Sequence, residues 1–168
     1  MDEVSIAGYD PAWPEQFAKI AGYVRTAFSD GPLIAVEHIG STAVTGLAAK
    51  PIIDVDVIIP SHSDVPDAIA RLAALGYVHQ GDLGIPGREA FSCPAGAVPH
   101  FLYLCVCDNA EYCRHVTFRN YLRDHWDETQ RYEALKRDLA TRFPHDRAAY
   151  SAGKAEFVQA ALQKANAR

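Results

Sequence analysis

The fold of this chain is decided by the segment Pro51-Ile52-Ile53-Asp54-Val55-Asp56-Val57-Ile58-Ile59-Pro60. Its branched apolar residues, bounded by two prolines, predict a buried β-strand over residues 52–59. Because side chains alternate along a strand, Asp54 and Asp56 share one face, about 6–7 Å apart. Two buried carboxylates are costly unless a basic side chain or a divalent metal lies between them. Oxygen ligands at this spacing suit Mg²⁺ or Mn²⁺ shared with substrate phosphates.

A Gly-Ser turn stands upstream of this strand. The branched residues of 33–39 predict an earlier strand, which Gly40-Ser41-Thr42 interrupts, and the small apolar residues 43–50 predict a helix of at most two turns. Backbone amides and a hydroxyl at the start of a helix are suited to bind an anion. A Gly-Ser pair alone is also an ordinary turn, but Ser41 precedes Asp54 by only 13 residues, which favours a common phosphate site.

The rest of the chain divides into a sheet region and a helical tail. Apolar spacing predicts helices over 17–29 and 64–75, strands over 77–79, 88–93 and 98–106, and three long helices over 111–125, 127–142 and 146–165. We therefore expect an α/β fold in a single domain, residues 1–168. A mixed sheet would occupy about 33–108 and a helical segment about 111–165.

The composition and the distribution of charge bear on which ligands and partners the protein can bind. The chain has 168 residues, 49% hydrophobic and 22% charged, with a net charge of −5, which argues against a partner of duplex nucleic acid. Residues 1–108 hold 13 acidic and 5 basic side chains, whereas residues 109–168 hold 8 and 11. Opposite charge in the two parts is consistent either with a shared cleft or with a solvated, Arg-rich helical surface.

Targeting and cysteine patterns point to a cytoplasmic protein. The first residues, Met-Asp-Glu-Val-Ser, lack a signal-peptide profile, and no apolar stretch approaches 18 residues, so we expect no membrane partner. The four cysteines, Cys93, Cys105, Cys107 and Cys113, contain no Cys-x-x-Cys pair and favour buried free thiols over a zinc site. The oligomeric state is left open.

The segment His38-Ile39-Gly40-Ser41-Thr42-Ala43-Val44-Thr45-Gly46-Leu47-Ala48-Ala49-Lys50-Pro51-Ile52-Ile53-Asp54-Val55-Asp56 resembles the signature of the GrpB family, whose members have the nucleotidyltransferase fold. Further segments resemble that family in the same order, from Tyr9 to about Leu162: Gly84-Ile85-Pro86-Gly87-Arg88, residues 114–123, residues 132–136 and residues 150–154. The resemblance therefore covers nearly the whole chain.

The resemblance implies a site. In the wider superfamily, a Gly-Ser pair holds the nucleotide phosphates and paired aspartates hold Mg²⁺, roles that fall here to Gly40, Ser41, Asp54 and Asp56. A third carboxylate on a neighbouring strand usually completes the metal site, but Tyr103 stands near that place. A phenol with a pKa near 10 is a poorer ligand than a carboxylate. Substitute candidates for the third carboxylate are Glu37, Glu89 and Asp108.

The strand 99–104 also departs from the family pattern His-His-Leu-His, because only His100 remains. His38 ends the strand before the Gly-Ser turn, where it can either exchange a proton in the cleft or serve a structural role. Arg114, His115, Arg119 and Arg123 recur at roughly helical spacing and can face an anion, or can be solvated or salt-bridged. Lys50, Arg88, Lys136 and Lys154 can add to this basic set.

These observations define the candidate site and its alternatives. The catalytic candidates are Asp54, Asp56, His38 and His100, and the substrate- or phosphate-binding candidates are Gly40, Ser41, Thr42, Lys50, Arg88, Tyr103, Arg119 and Arg123. The function expected from them is Mg²⁺-dependent transfer of a nucleoside monophosphate from a nucleoside triphosphate to a small-molecule acceptor. One alternative is an enzyme independent of metal and nucleotide that acts on a small amino or guanidino acid through His38, Asp54 and His100. Another is a catalytically silent ligand-binding domain.

Overall fold

In the computed structural model, which describes residues 4–167, five strands form one mixed sheet. The strands are β1 (Ala35–Ile39), β2 (Ile53–Ile59), β3 (Val78–His79), β4 (Arg88–Ser92) and β5 (His100–Val106). Their order across the sheet is β1-β2-β5-β4-β3, with β2 and β5 parallel and the other neighbours antiparallel. The predicted α/β fold with a mixed sheet is confirmed. Met1 to Glu3, on which the signal-peptide prediction partly rests, lie outside the described residues.

Six α-helices accompany the sheet in the described part of the chain. They are α1 (Trp13–Thr26), α2 (Val65–Ala74), α3 (Ala110–Asp124), α4 (Trp126–Arg142), α5 (Arg147–Gly153) and α6 (Ala155–Asn166). The last four make up the predicted helical segment. Within residues 4–167, no helix combines the length and the hydropathy needed to cross a bilayer.

The two faces of the sheet differ in chemistry. Odd-numbered residues of β2 and even-numbered residues of β5 pack with α1 and α2 in the main hydrophobic core, which includes Val55, Val57, Leu102 and Leu104. The alternation of side chains therefore places Asp54 and Asp56 on the opposite face, toward the C-terminal helices. Covering both faces explains why β2 is so uniformly apolar apart from its two carboxylates.

The predicted short helix over 43–50 is wrong. Only residues 41–43 form one turn of 3₁₀ helix, and the chain then runs irregularly to β2. Gly46 has φ of 83°, outside the helical region, and packs under the Trp126 ring. Ala48 has its backbone hydrogen bonds with Glu133 and Lys136 of α4 instead of with a helical turn. Tertiary contacts thus override the helical propensity of these small residues.

Two other expectations need correction. The helix predicted over 146–165 is two helices, divided at Lys154 after Gly153, which packs so closely on Leu139 that a Cβ would overlap it. The thiols of Cys107 and Cys113 are exposed, because Cys107 lies beyond the end of β5 and Cys113 is on an open face of α3.

Candidate functional site

A cavity of about 360 Å³ lies between the carboxylate face of the sheet and helices α3 to α6. We call it the basic cavity, because its lining includes one carboxylate, from Asp54, and six lysine or arginine side chains. These six are Lys50, Arg88, Arg114, Lys136, Arg147 and Lys154, and His115 adds a titratable ring. Both charge-biased parts of the chain contribute, since the sheet supplies Asp54 and the helical segment supplies most of the cations.

The Gly-Ser turn forms one edge of the basic cavity. Gly40 has φ of 73°, and a Cβ there would overlap the Asp54 carboxylate, so only glycine allows this close approach. Gly40, Ser41 and Thr42 all line the cavity. Thr42 is buried, and its hydroxyl lies 2.9 Å from His38 Nε2. The predicted proximity of the turn to Asp54 is therefore direct contact.

Two arginines of α3 hold this turn in place from behind. Arg119 donates to the backbone oxygen of His38 at 2.9 Å and to the Glu37 carboxylate at 2.7 Å. Arg123 donates twice to the backbone oxygen of Ala43, at 2.9 and 2.7 Å. Arg119 and Arg123, predicted to bind an anion, are thus bonded to the protein itself and do not line the basic cavity. Their contacts position the turn between them.

Asp54 and Asp56 differ in environment although they share one face. Asp54 lines the cavity, and burial raises its pKa to about 6, although Lys50 and His115 oppose the shift. Asp56 is 0% exposed, and its Oδ2 accepts a 2.8 Å hydrogen bond from His115 Nδ1. Burial raises the Asp56 pKa as well, while His115 opposes the shift. Its Oδ1 has no hydrogen-bond partner among the described residues.

The donor set fits a magnesium ion that arrives with phosphates. Asp54 and Asp56 are on one face of the sheet, and Asp56 Oδ1 has no hydrogen-bond partner among residues 4–167. Only Asp54 lines the cavity, because Asp56 is fully buried, so an ion there would meet Asp54 first. Within residues 4–167 no group of three or more His, Cys, Asp or Glu side chains is placed to hold a metal. Mg²⁺ usually combines one or two carboxylates with waters and substrate phosphates. Asp54 and Asp56 could therefore hold Mg²⁺ only together with ligands that other groups supply.

Tyr103 occupies the position beside Asp56 on β5. Burial raises the pKa of its phenol to about 12, so the ring stays neutral. The substitute acids are placed elsewhere. Glu37 lies opposite Asp56 on β1 but is ion-paired with Arg119. Glu89 pairs with His79, and Asp108 is exposed beyond β5, so neither lines the cavity.

Lysines cluster on the helical side of the cavity. Lys50 and Lys154 lie over the Tyr150 ring, with ammonium-to-centroid distances of 5.5 and 4.4 Å. Lys136 is 2% exposed, donates to the backbone oxygen of Ala48, and lies 5.0 Å from the Tyr132 ring centre. Burial lowers the pKa of Lys154 to about 8 and that of Lys136 to about 7. The cluster supplies positive charge that depends on pH near neutrality.

Two predicted catalytic histidines lie on the other face of the sheet. His38 stacks on Phe17 at 4.7 Å, and burial lowers its pKa to about 4. His100 donates from Nδ1 to the Val98 carbonyl at 2.6 Å and accepts at Nε2 from the Tyr77 hydroxyl at 2.8 Å. Neither lines the basic cavity. Both rings are therefore placed for structural roles in the core.

Several lining residues were outside the predicted site. Arg147 stacks over Phe101 at 5.1 Å, and Arg114 and His115 reach the cavity from α3. Arg114 and His115 belong to the basic helical face that the sequence predicts. Nothing in the sequence around Arg147 indicates a site residue. It is the first residue of a short helix, and the spacing of apolar residues does not predict where that helix packs.

Comparison with known proteins agrees with this architecture. The family model described as "GrpB protein" matches residues 3–164. A UPF0157 protein of Pseudomonas aeruginosa is 37% identical over 170 residues, covering 98% of this chain and 68% of the relative. The crystal structure of the conserved protein GrpB from Enterococcus faecalis superimposes with a TM-score of 0.85 at 33% identity, covering 96% of each chain.

A more distant likeness concerns the fold alone. The Cid1 poly(U) polymerase, in a structure bound to MgATP, matches with a TM-score of 0.53 at 9% identity, covering 80% of this chain and 42% of that one. The sheet and its helices thus resemble those of this polymerase in fold. The family model, which matches nearly the full length, and the relative of 37% identity show that the chain belongs to the GrpB family.

Proposed function

We propose that this protein transfers a nucleoside monophosphate from a nucleoside triphosphate to a small-molecule acceptor. The observation that carries the proposal is the Gly-Ser turn in contact with Asp54 at the edge of a cavity rich in lysine and arginine. Such a cavity suits a polyanion, and the carboxylate face beside it suits the magnesium that accompanies a triphosphate. The proposal includes a cytoplasmic location and no duplex nucleic acid as partner.

Different residues of the site would bind different parts of the nucleoside triphosphate donor. The Gly40 amide and the Ser41 hydroxyl would hold the phosphates, and Lys50 and Lys154 would neutralise charge on the departing pyrophosphate. Asp54 and Asp56 would hold Mg²⁺, which supplies further neutralisation of the phosphates when bound. An acceptor oxygen would attack the α-phosphorus, and the bond to the bridging oxygen of the β-phosphate would break. The contacts of Arg119 and Arg123 keep the turn in one geometry for this step.

A second candidate is a metal-independent acid–base enzyme acting on a small polar acid. It is favoured by Tyr103 standing beside Asp56 where a third carboxylate is expected, and by two cavity groups that titrate near neutrality. These are Asp54, with a pKa of about 6, and Lys154, with a pKa of about 8. His38 and His100 would not take part, since they lie on the other face. This candidate requires activity in the presence of a chelator.

Thermal unfolding with nucleotides tests the proposal. The wild type, Asp54→Asn and the surface control Asp138→Asn are compared with ATP, GTP, CTP and UTP, each with and without Mg²⁺. A nucleotide at about 100 times its Kd adds about 2.7 kcal/mol to the free energy of unfolding, which is a Tm shift of about 5–10 °C at this chain length. We expect such a shift for the wild type and for Asp138→Asn, dependent on Mg²⁺ and lost in Asp54→Asn.

Other outcomes separate the alternatives. If no nucleotide shifts the Tm of the wild type, nucleotidyl transfer is refuted and the metal-independent enzyme becomes the better proposal. If a nucleotide binds but no acceptor releases pyrophosphate, the silent ligand-binding domain is favoured. Release of pyrophosphate only when nucleotide and one acceptor are both present would support transfer.

A further inference from the structure

Arg88, the first residue of β4, is a buried cation that forms no ion pair with the residues that the structure describes. It is 8% exposed, lines the basic cavity, and stacks over the Tyr103 ring at 4.3 Å. Its Nε is buried and has no hydrogen-bond partner among residues 4–167. The other buried arginine, Arg119, differs in this respect, because it bonds a carboxylate and a backbone oxygen. An unpaired guanidinium is costly to bury, so its retention calls for an external anion.

Among the described residues, no acid on the same face of the sheet forms an ion pair with Arg88. Asp54 also lines the basic cavity, but it is on β2, two strands away from β4. Asp56 is hydrogen-bonded to His115, and Glu37 is ion-paired with Arg119. Arg88 acts on Asp56 only through its charge, which lowers the Asp56 pKa against the effect of burial. Tyr103, the residue directly beneath Arg88, is neutral. The anion that Arg88 is placed to meet therefore comes from a ligand.

The order of the strands places Arg88 at a distance from the Gly-Ser turn. The Gly-Ser turn follows β1, the two carboxylates are on β2, Tyr103 is on β5, and Arg88 is on β4. Neighbouring strands lie about 4.8 Å apart, so β4 is about 10 Å from β2 and about 14 Å from β1. A donor whose phosphates lie at the turn and the carboxylates leaves Arg88 on the far side of the reacting centre. Arg88 lines the basic cavity on that side, where a second reactant could bind.

We propose that Arg88, stacked on Tyr103, binds an oxyanion of the acceptor, so the acceptor is a small anionic metabolite. The inference rests on the proposed nucleotidyl transfer and names the class of its acceptor. A guanidinium offers two parallel N–H donors that match either a carboxylate or a phosphate, and the Tyr103 ring supports that of Arg88 from one side. A neutral alcohol or sugar would leave the Arg88 charge unmet.

Binding of simple anions tests this assignment. Calorimetric titrations use succinate and inorganic phosphate, with succinamide as the neutral match, on the wild type, Arg88→Met, Arg88→Lys and the surface control Arg142→Met. Each titration is done with and without the nucleotide that gives the largest thermal shift. We expect succinate or phosphate to bind the wild type and the control, and Arg88→Met to raise that Kd at least tenfold. Arg88→Lys should give an intermediate Kd, because it keeps the charge and loses the paired donors.

Two further readouts show whether Arg88 serves the acceptor. Arg88→Met should change the nucleotide Kd by less than threefold, and its ligand-free Tm should equal or exceed that of the wild type, because a buried unpaired charge is removed. A tenfold weaker nucleotide Kd would assign Arg88 to the donor phosphates and overturn the inference. A Tm lower by 5 °C or more with unchanged anion binding would assign it to the fold and also overturn it.

The remaining outcomes are equally decisive. Failure of both anions to bind the wild type, or equal binding of succinamide, would overturn the inference. If no nucleotide binds but an anion binds through Arg88, nucleotidyl transfer fails while the anion subsite stands. The choice between succinate and phosphate identifies the kind of oxyanion.

Discussion

Replacing Lys136 by methionine should stabilise the protein at neutral pH, with a gain that shrinks as pH rises. Lys136 is 2% exposed, and burial lowers its pKa from an ordinary 10.5 to about 7. Between these two values the unfolded chain holds a proton that the folded chain gives up, so the stability of the wild type increases with pH across this window. Methionine has a similar shape and no charge to bury.

The magnitude follows from the width of that window. At about 1.36 kcal/mol per pKa unit, the lowered pKa of Lys136 costs the folded state about 4 kcal/mol at pH 7 and about 2 kcal/mol at pH 9, where the cost is that of giving up the proton. Methionine also removes the hydrogen bond to Ala48 and leaves that carbonyl unsatisfied, at a cost of about 1–3 kcal/mol. The net gain should be about 1–3 kcal/mol at pH 7 and close to zero, or a loss, at pH 9.

Urea denaturation at pH 7 and pH 9 measures the effect, with Lys164→Met as the matched control. Lys164 is half exposed and pairs with Glu128 on the surface, so its replacement should change stability by less than about 1 kcal/mol at either pH. The reasoning about burial is refuted if Lys136→Met is less stable than the wild type by the same amount at both pH values. That result would mean that Lys136 is held as a well-paired charge.

Three further substitutions separate the site from its scaffold. Gly40→Ala should lower the free energy of unfolding by about 1–3 kcal/mol and abolish the nucleotide-dependent Tm shift, because φ is 73° and the added Cβ would overlap the Asp54 carboxylate. The control Gly8→Ala should have neither effect, because a Cβ at that position meets no atom within 4 Å. Arg123→Met removes both bonds to Ala43, so urea denaturation should show a loss of about 1–3 kcal/mol, and calorimetry a weaker nucleotide Kd. His100→Phe should lower the Tm and leave nucleotide binding unchanged, and a loss of binding at constant Tm would contradict its place on the other face.

Features encoded by local pattern were predictable from the sequence. The apolar run of β2 and its two-residue period placed Asp54 and Asp56 together, and the break after β1 marked the Gly-Ser turn. The alternation of side chains along β5 also predicts the face on which His100 lies, although the predicted site did not take it into account. His100 and Tyr103 are three residues apart on β5, so they face opposite sides of the sheet, and only Tyr103 reaches the cavity.

Features that depend on distant partners were not predictable. The helical spacing of Arg119 and Arg123 was correct, but spacing does not say whether a guanidinium meets a ligand or a backbone carbonyl of the turn. The irregular segment after residue 43 was also not predictable. Its small residues favour a helix, but its contacts with α4 hold it in another conformation. The unmet charge of Arg88 became visible only when the partners of its neighbours were known.

The bonds that hold the Gly-Ser turn and the segment after it connect residues far apart in the chain. Arg123 reaches Ala43 across 80 positions, and Lys136 reaches Ala48 across 88. Closing loops of this length costs entropy before any contact compensates for it, so we expect these bonds to form after the sheet and the C-terminal helices have associated. The turn would therefore be among the last parts of the molecule to order during folding. Binding competence should therefore lag behind the recovery of secondary structure during refolding.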